Sequence, residues 1–284
     1  MKKYTFTFID DVDKLVEFRK YLRENKITKI AMDFEGEHNL HSYGEKLCLI
    51  QIFDGEKYFL MDPLKIEDIE ISKTLENSKI TKYMYSAESD KSLIYKQYGI
   101  KLKNVLDLKT LVDVLNFENK GLDGIINSLF GIENKFKTKY QKHNWQKRPI
   151  DENAITYALD DVNYLFKIYD VLIEKIIRED KINELLITVI NNEYDYEKMR
   201  KATIFKKKEF NDLNENNKKE FMRIYEIREF YAKKLNLPPH NLIENSILFE
   251  IANNKINVNT LKFNKKISKD FCKEIIRKIQ NKIN

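Results

Sequence analysis

The chain has 284 residues, 51 Lys+Arg against 45 Asp+Glu for a formal charge of +6, and only two cysteines. Cys48 and Cys272 lie far apart, which excludes a C-x-x-C motif and a disulfide framework and leads us to expect a reducing, cytoplasmic setting. No stretch approaches 18 consecutive apolar residues, and no apolar run follows the lysines of "MKKYTFTFID", so neither a membrane span nor a secretory leader is expected.

In chain order, "ITKIAMDFEGE" reads as a buried strand over Ile30–Phe34 that runs into acidic residues. "KLCLIQIFDGEKYFLMDP" reads as two strands joined by an Asp54-Gly55 turn, a strong hairpin signal. A strand around Lys82–Ser86 is followed by a helix that stops at Gly99, and from Val105 onward the pattern turns helical. Pro149 and Asp151 open one long helix, "ENAITYALDDVNYLFKIYD", with Asp151 as its N-cap. After Asp180 the rhythm fades, and 195–214 reads as a connection to a helical unit over 215–284, in which Pro238-Pro239 makes a stiff corner. The result is an α/β domain over 1–194 and a small all-α domain at the end. Neither GxGxxG nor a P-loop occurs, so no nucleotide cofactor is expected.

Charge is unevenly spread. Residues 1–180 carry 29 Lys+Arg and 31 Asp+Glu, whereas 181–284 carry 22 and 14, a net +8. A near-neutral front joined to a basic rear suits a catalytic domain followed by a module that grips a polyanion. A lysine- and asparagine-rich compositional bias produces the same numbers.

The acidic residues are more specific. Asp33 and Glu35 share one face of a strand, about 7 Å apart along it. Two acids so placed repel unless a cation lies between them, and carboxylate oxygens suit hard ions such as Mg²⁺ or Mn²⁺. Asp90 falls in the first turn of a helix, where the dipole alone favours an acid. In the helix after Asp151, Ile155, Ala158, Leu159, Val162, Phe166 and Tyr169 form one stripe. At 100° per residue, Asp160 lies about 160° from its centre, facing water, and Asp161 about 100° away, on the stripe's edge with Tyr157 one turn earlier. His38 and His41 form an H-x-x-H but lack further partners for zinc.

"MDFEGE", "SAESDKSL" and "YALDDVNYL", in this order, resemble the three motifs of the DEDDy 3′→5′ exonucleases. "NWQKRPIDENAITYALDDVNYL" resembles the ribonuclease D branch in particular, and "REFYAKKLNLPPHNLIENSILFEIA" resembles the HRDC domain that follows that nuclease. Tyr85 stands where the family often has His, and His143 where Ser is common, and neither is a ligand position. One HRDC-like unit is present where some relatives carry two.

The resemblance implies a ribonuclease H-like exonuclease fold, a mixed central sheet flanked by helices, with an HRDC-like tail. It implies that Asp33, Glu35, Asp90 and Asp161 hold two divalent ions (Mg²⁺ or Mn²⁺) and that Tyr157 orients the attacking water. The expected substrate is RNA with a free 3′ end, such as a tRNA precursor, and the product a nucleoside 5′-monophosphate. A DNA or short-oligonucleotide exonuclease, or an inactive nucleic-acid-binding scaffold, remain alternatives. Lys147 and Arg148, beside Trp145, are candidate substrate contacts, although Trp145 equally suits a core anchor. Lys262, Lys265, Lys266, Lys269 and Lys273 could track phosphates without reading sequence.

Overall fold

The computed structural model describes residues 4–133, 137–191, 194–196, 202–265 and 267–281. It divides into two compact units, Met1–Gly36 with Lys46–Glu197, and Glu37–Glu45 with Lys198–Asn284.

Up to Asp107 the chain forms β1 (Phe6–Ile9), α1 (Val12–Glu24), β2 (Lys29–His38), β3 (Glu45–Phe53), β4 (Tyr58–Met61), α2 (Asp68–Leu75), β5 (Thr81–Met84), α3 (Glu88–Tyr98) and β6 (Val105–Asp107). Six helices follow: α4 (Leu108–Val114), α5 (Leu122–Phe130), α6 (Lys137–Tyr140), α7 (Glu152–Asn163), α8 (Leu165–Arg178) and α9 (Ile182–Asn191). The strands form one mixed sheet in the order β1-β4-β3-β2-β5-β6. β1 runs parallel to β4, β4 antiparallel to β3, and β2, β5 and β6 parallel to one another.

Strand alternation divides β2 between the two faces of this sheet. Ile30, Met32 and Phe34 enter a core with Leu15, Phe18 and Leu22 of α1 and Leu93 and Ile94 of α3. Ala31 looks the other way, into a core with Tyr83, Leu108, Leu111, Leu165 and Ile168. Asp33 and Glu35 share the parity of Ala31 and therefore emerge on the second face.

The expected hairpin is present, with Phe53 opposite Tyr58. Its turn needs Gly55 at φ +108°, and Asp54 Oδ1 accepts from the N–H groups of Glu56 and Lys57 at 2.8 and 2.7 Å. α3 ends at Gly99, whose φ of +68° lets its N–H reach Tyr95 O at 2.8 Å.

Several elements differ from the sequence reading. Val105–Asp107 is a short strand, because pairing with β5 from Lys82↔Val105 to Met84↔Asp107 overrides a helical pattern that three residues cannot contradict. The helix after Asp151 is two helices, broken at Tyr164 with φ −102° and ψ −10°. Tyr164 is buried there and stacks on Phe130, and α8 turns Leu165, Ile168, Leu172 and Ile176 inward, leaving Phe166 and Tyr169 only partly buried. β1 and α1 have no counterpart in the sequence reading, although Asp11 caps α1 and Leu15, Phe18 and Leu22 recur at helical spacing.

The second unit contains a 3₁₀ turn at Thr203–Lys206, α10 (Lys208–Asn211), α11 (Glu215–Lys234), α12 (Pro239–Leu242), α13 (Asn245–Ala252), another 3₁₀ turn at Val258–Thr260 and α14 (Lys269–Gln280). Phe221, Ile224, Tyr231, Leu248, Ile275 and Ile279 form its core. Pro239 takes the first helical position of α12, where its missing N–H costs nothing. Within the stretch read as a connection, Ile204, Phe205, Phe210 and Leu213 pack into this core. Four apolar anchors had been hidden among the charges. Among the described residues, no helix is long and apolar enough to cross a membrane.

Candidate active site

β2 continues through Gly36 to His38, so Asp33 and Glu35 sit within a strand rather than at its frayed end. Asp161 comes from α7. Asp151 Oδ1 caps that helix, accepting from Asn153 N and Ala154 N at 3.1 and 3.2 Å. Ala154, Tyr157, Ala158 and Leu159 bury against Cys48, Leu49 and Leu60, which sets the helix's rotation. Asp161, one turn after Tyr157, is thereby brought to β2: one ligand oxygen from each of Asp33, Glu35 and Asp161 lies within 4.8 Å of the others.

Asp90 enters from the first turn of α3, close enough to Asp33 to raise its pKa. The chain before α3 passes through Ser86 at φ +58°. Asp107 holds it there, its two oxygens accepting from Ser86 N at 2.8 Å and Ala87 N at 2.9 Å. The same carboxylate caps α4 through Lys109 N at 3.0 Å. One side chain thus fixes two helix starts and sets the entry of Asp90.

Burial and neighbouring acids dominate the electrostatics. Burial, then Asp90, holds Asp33 well above the usual carboxylate range, partly offset by the Phe34 N–H. Burial, then Asp33, Asp161 and Asp90, does the same to Glu35. Asp90 is pushed up to about 7 by burial and by Asp107. Burial and the charges of Asp161, Glu35 and Asp33 drive the Tyr157 hydroxyl far up, so at neutral pH it is a hydrogen-bond donor and not a base. Tyr157 is 9% exposed, with its ring held near Tyr140 and Trp145 at centroid distances of 5.6 and 6.5 Å. Half-buried carboxylates forced together cannot all be ionised without a counter-charge. An all-oxygen donor set with a net negative charge fits a hard divalent cation.

Residues 6–177 match the family model described as 3′-5′ exonuclease. The chain belongs to the 3′-5′ exonuclease family. It is 25% identical over 266 residues to the exosome complex component 10 homolog of Caenorhabditis elegans, covering 89% of this chain and 29% of that protein. It is 28% identical over 253 residues to ribonuclease D of Desulfotalea psychrophila, covering 86% and 64%. Its fold is similar to the catalytic core of RRP6 from Trypanosoma brucei, with a TM-score of 0.76 at 22% identity, covering 98% of this chain and 78% of that one. The chain therefore spans less than two thirds of the length of either curated relative.

Other residues singled out from the exonuclease sequence are placed differently. Asp160 is not simply solvated: it is partly buried and accepts a hydrogen bond from the Tyr4 hydroxyl. Arg148 is committed to the fold. Its Nε and Nη2 clasp both oxygens of Asp62 at 2.7 Å, while Nη1 donates to Trp145 O and Nη2 to Cys48 O, also at 2.7 Å. Asp62 is fully buried, and this fork leaves Arg148 no donor face for a phosphate. Trp145, 1% exposed, is a core anchor. Lys147 is exposed.

Tyr85 is buried and donates to Lys120 O at 2.6 Å, and the His143 ring meets Trp145 edge-on. His41 Nδ1 lies 3.1 Å from Glu37 Oε2, and the sole metal-competent cluster among the described residues is the carboxylate one. On the second unit, Lys262, Lys265, Lys269 and Lys273 are exposed, and Lys266 lies outside the described residues. Sequence reasoning missed Asp107. Its only signal was an acid directly before the apolar "LKTLVDVL", the usual position of a helix cap.

Proposed function

We propose that this chain is a metal-dependent 3′→5′ exoribonuclease of ribonuclease D type, trimming tRNA precursors or other stable RNAs from a free 3′ end. The observation that carries this reading is the convergence of Asp33, Glu35 and Asp161, whose oxygens come within 4.8 Å of one another although the residues span 128 positions. Similarity to a ribonuclease D and to an exosome complex component supports RNA as the substrate.

In this reading Asp33, Glu35, Asp90 and Asp161 hold two divalent ions, Mg²⁺ or Mn²⁺. Bound there, the ions supply Lewis acidity and lower the pKa of an attacking water. Asp33, which interacts electrostatically with both Asp90 and Glu35, would contribute to both parts of this donor set. Tyr157, protonated at neutral pH, donates a hydrogen bond that orients the water in line with the scissile phosphate. Asp107 is a positioning residue that acts through Asp90. The second unit is HRDC-like, and its exposed Lys262, Lys265 and Lys269, with Lys266, grip the backbone non-specifically, adding a salt-dependent term to affinity.

The test uses 5′-labelled single-stranded RNA, single-stranded DNA and a tRNA precursor, each with Mg²⁺, Mn²⁺ or EDTA. Stepwise shortening of RNA with release of nucleoside 5′-monophosphates, dependent on metal and abolished by Asp161→Asn, is the expected result. Shortening of DNA alone, or turnover in EDTA, overturns the proposal. Charge reversal at Lys262, Lys265 and Lys269 should flatten the salt dependence of RNA binding by about 3 on a log–log slope.

A further inference from the structure

At the opposite end of the parallel strands lies a second feature that the carboxylate chemistry does not use. A cleft of about 530 Å³ opens where α1 ends, where β2 and β5 begin, and beside the last turn of α2. Thr28, on its wall, precedes Asp33 and Glu35 by five and seven residues, placing the cleft about 17–23 Å along the strand from the carboxylates. Its volume falls in the range of small-molecule sites.

The lining has two parts. Leu22, Ile27 and Ile80 give it an apolar floor, and Arg23, Lys26 and Lys79 give it a cationic rim. No Asp or Glu lines it among the described residues, and none of these three cations has an acidic partner there. Arg19 also reaches the cleft but is already paired with Glu70 at 2.6 Å. A cation in the last turn of α1 complements that helix's dipole, which accounts for Arg23 but not for Lys79 in a different loop.

Two further observations mark a built site. Thr74 lines the cleft, is 4% exposed, and its Oγ1 has no hydrogen-bond partner. A helical threonine ordinarily turns to the carbonyl four residues back, but Glu70 O accepts from Arg19 Nη1 at 3.0 Å instead. A buried hydroxyl left open in this way costs about 1–3 kcal/mol unless a ligand satisfies it. The wall at Asn77–Ile80 is also pinned from beneath. Lys82, fully buried, donates through Nζ to Asn77 O, Ile80 O and Lys103 O at 2.8, 3.1 and 2.9 Å. That places a fourth positive charge behind a rigid wall.

We infer that this cleft binds a nucleotide, with the phosphates among Arg23, Lys26 and Lys79 and the base over Leu22, Ile27 and Ile80. Charge complementarity selects the anion, and the apolar floor selects one that carries a ring rather than a bare phosphate. The Thr74 hydroxyl supplies a polar contact to the same ligand. The inference does not rest on the exonuclease reading, since it concerns binding at separate residues.

Equilibrium dialysis of the full chain in EDTA with labelled ADP isolates this site. Without metal, the acidic cluster repels an anion and contributes no binding. One saturable site is expected, at least about tenfold tighter for ADP than for adenosine or pyrophosphate, which each satisfy half of the cleft. Arg23→Gln with Lys79→Gln, both on exposed side chains that folding does not need, should weaken it about tenfold or more. Thr74→Val, which keeps the shape, should weaken it several-fold. No saturation by about 5 mM, equal affinity for pyrophosphate, or binding untouched by the Arg23/Lys79 pair overturns the inference. Since every arm is read in EDTA, loss of exonuclease activity and loss of this site are distinguishable.

Discussion

Asp33→Asn tests the crowding of carboxylates directly. Asparagine keeps an oxygen able to accept from the Phe34 N–H, so the strand should be undisturbed. Two ionised carboxylates at 4.8 Å repel by about 3 kcal/mol at an effective dielectric near 20. Protonation relieves part of this at neutral pH, since Asp33 and Glu35 are raised and Asp90 sits at about 7. The net gain on removing one charge is then about 1–2 kcal/mol, or about 2–8 °C in the Tm of a unit of this size. In EDTA at pH 7.5, Asp33→Asn should therefore melt higher than the wild-type chain.

The sign of the pH dependence follows from raised carboxylate pKa values. The penalty is absent below the ordinary carboxylate pKa of about 4 and grows through the folded pKa, so the advantage of the variant should shrink toward pH 4.5. With Mg²⁺ or Mn²⁺ at a hundredfold over Kd, the wild-type chain gains about 2.7 kcal/mol by linkage and the variant does not. Thermal unfolding followed by circular dichroism and calorimetry, with and without chelator, reads both effects. A variant less stable than wild type in EDTA, or one with an equal metal-induced rise, would refute the reasoning.

Tyr157→Phe should lower kcat about 10–100-fold while metal affinity, read by titration calorimetry, stays within about twofold; a change confined to metal affinity would assign the hydroxyl to the ion instead. Arg148→Ala should destabilise the fold by about 3–5 kcal/mol in urea unfolding, because it strands the fully buried Asp62 carboxylate. Arg148→Lys should rescue little, since an ammonium cannot reproduce the two-pronged fork, and near-wild-type stability in Arg148→Ala would contradict the assignment. Metal uptake should release protons from the raised carboxylates, so apparent affinity climbs from pH 6 to 8 and the binding enthalpy varies with the buffer's ionisation enthalpy. A flat profile would mean the carboxylates are already ionised.

Particular residues show why some of this was readable. Asp54-Gly55 and Gly99 carry backbone demands that only a few residue types meet, and both were visible before any fold was known. Period-two alternation in β2 placed Asp33 and Glu35 on one face, because strand geometry is local. The break at Tyr164 was invisible, since the stripe through Val162 and Phe166 continues in helical phase and only packing on Phe130 decides where the axis bends. The structural partner of Arg148 was invisible for a similar reason. A surface-type residue beside a tryptophan gives no sign that a buried acid 86 positions earlier will claim it.

The sequence by itself determined the local geometry, the identity of the acids and tyrosine, and the order of the motifs, because spacing along a strand or helix translates directly into facing. Only the tertiary structure decided which acids meet. Asp161 joins Asp33 and Glu35 while its neighbour Asp160 turns to Tyr4, and Asp107 emerges as the residue that sets Asp90. Those choices depend on the rotation of α7 against the sheet and on the pairing of β5 with β6. Both are fixed by buried side chains far apart in the chain.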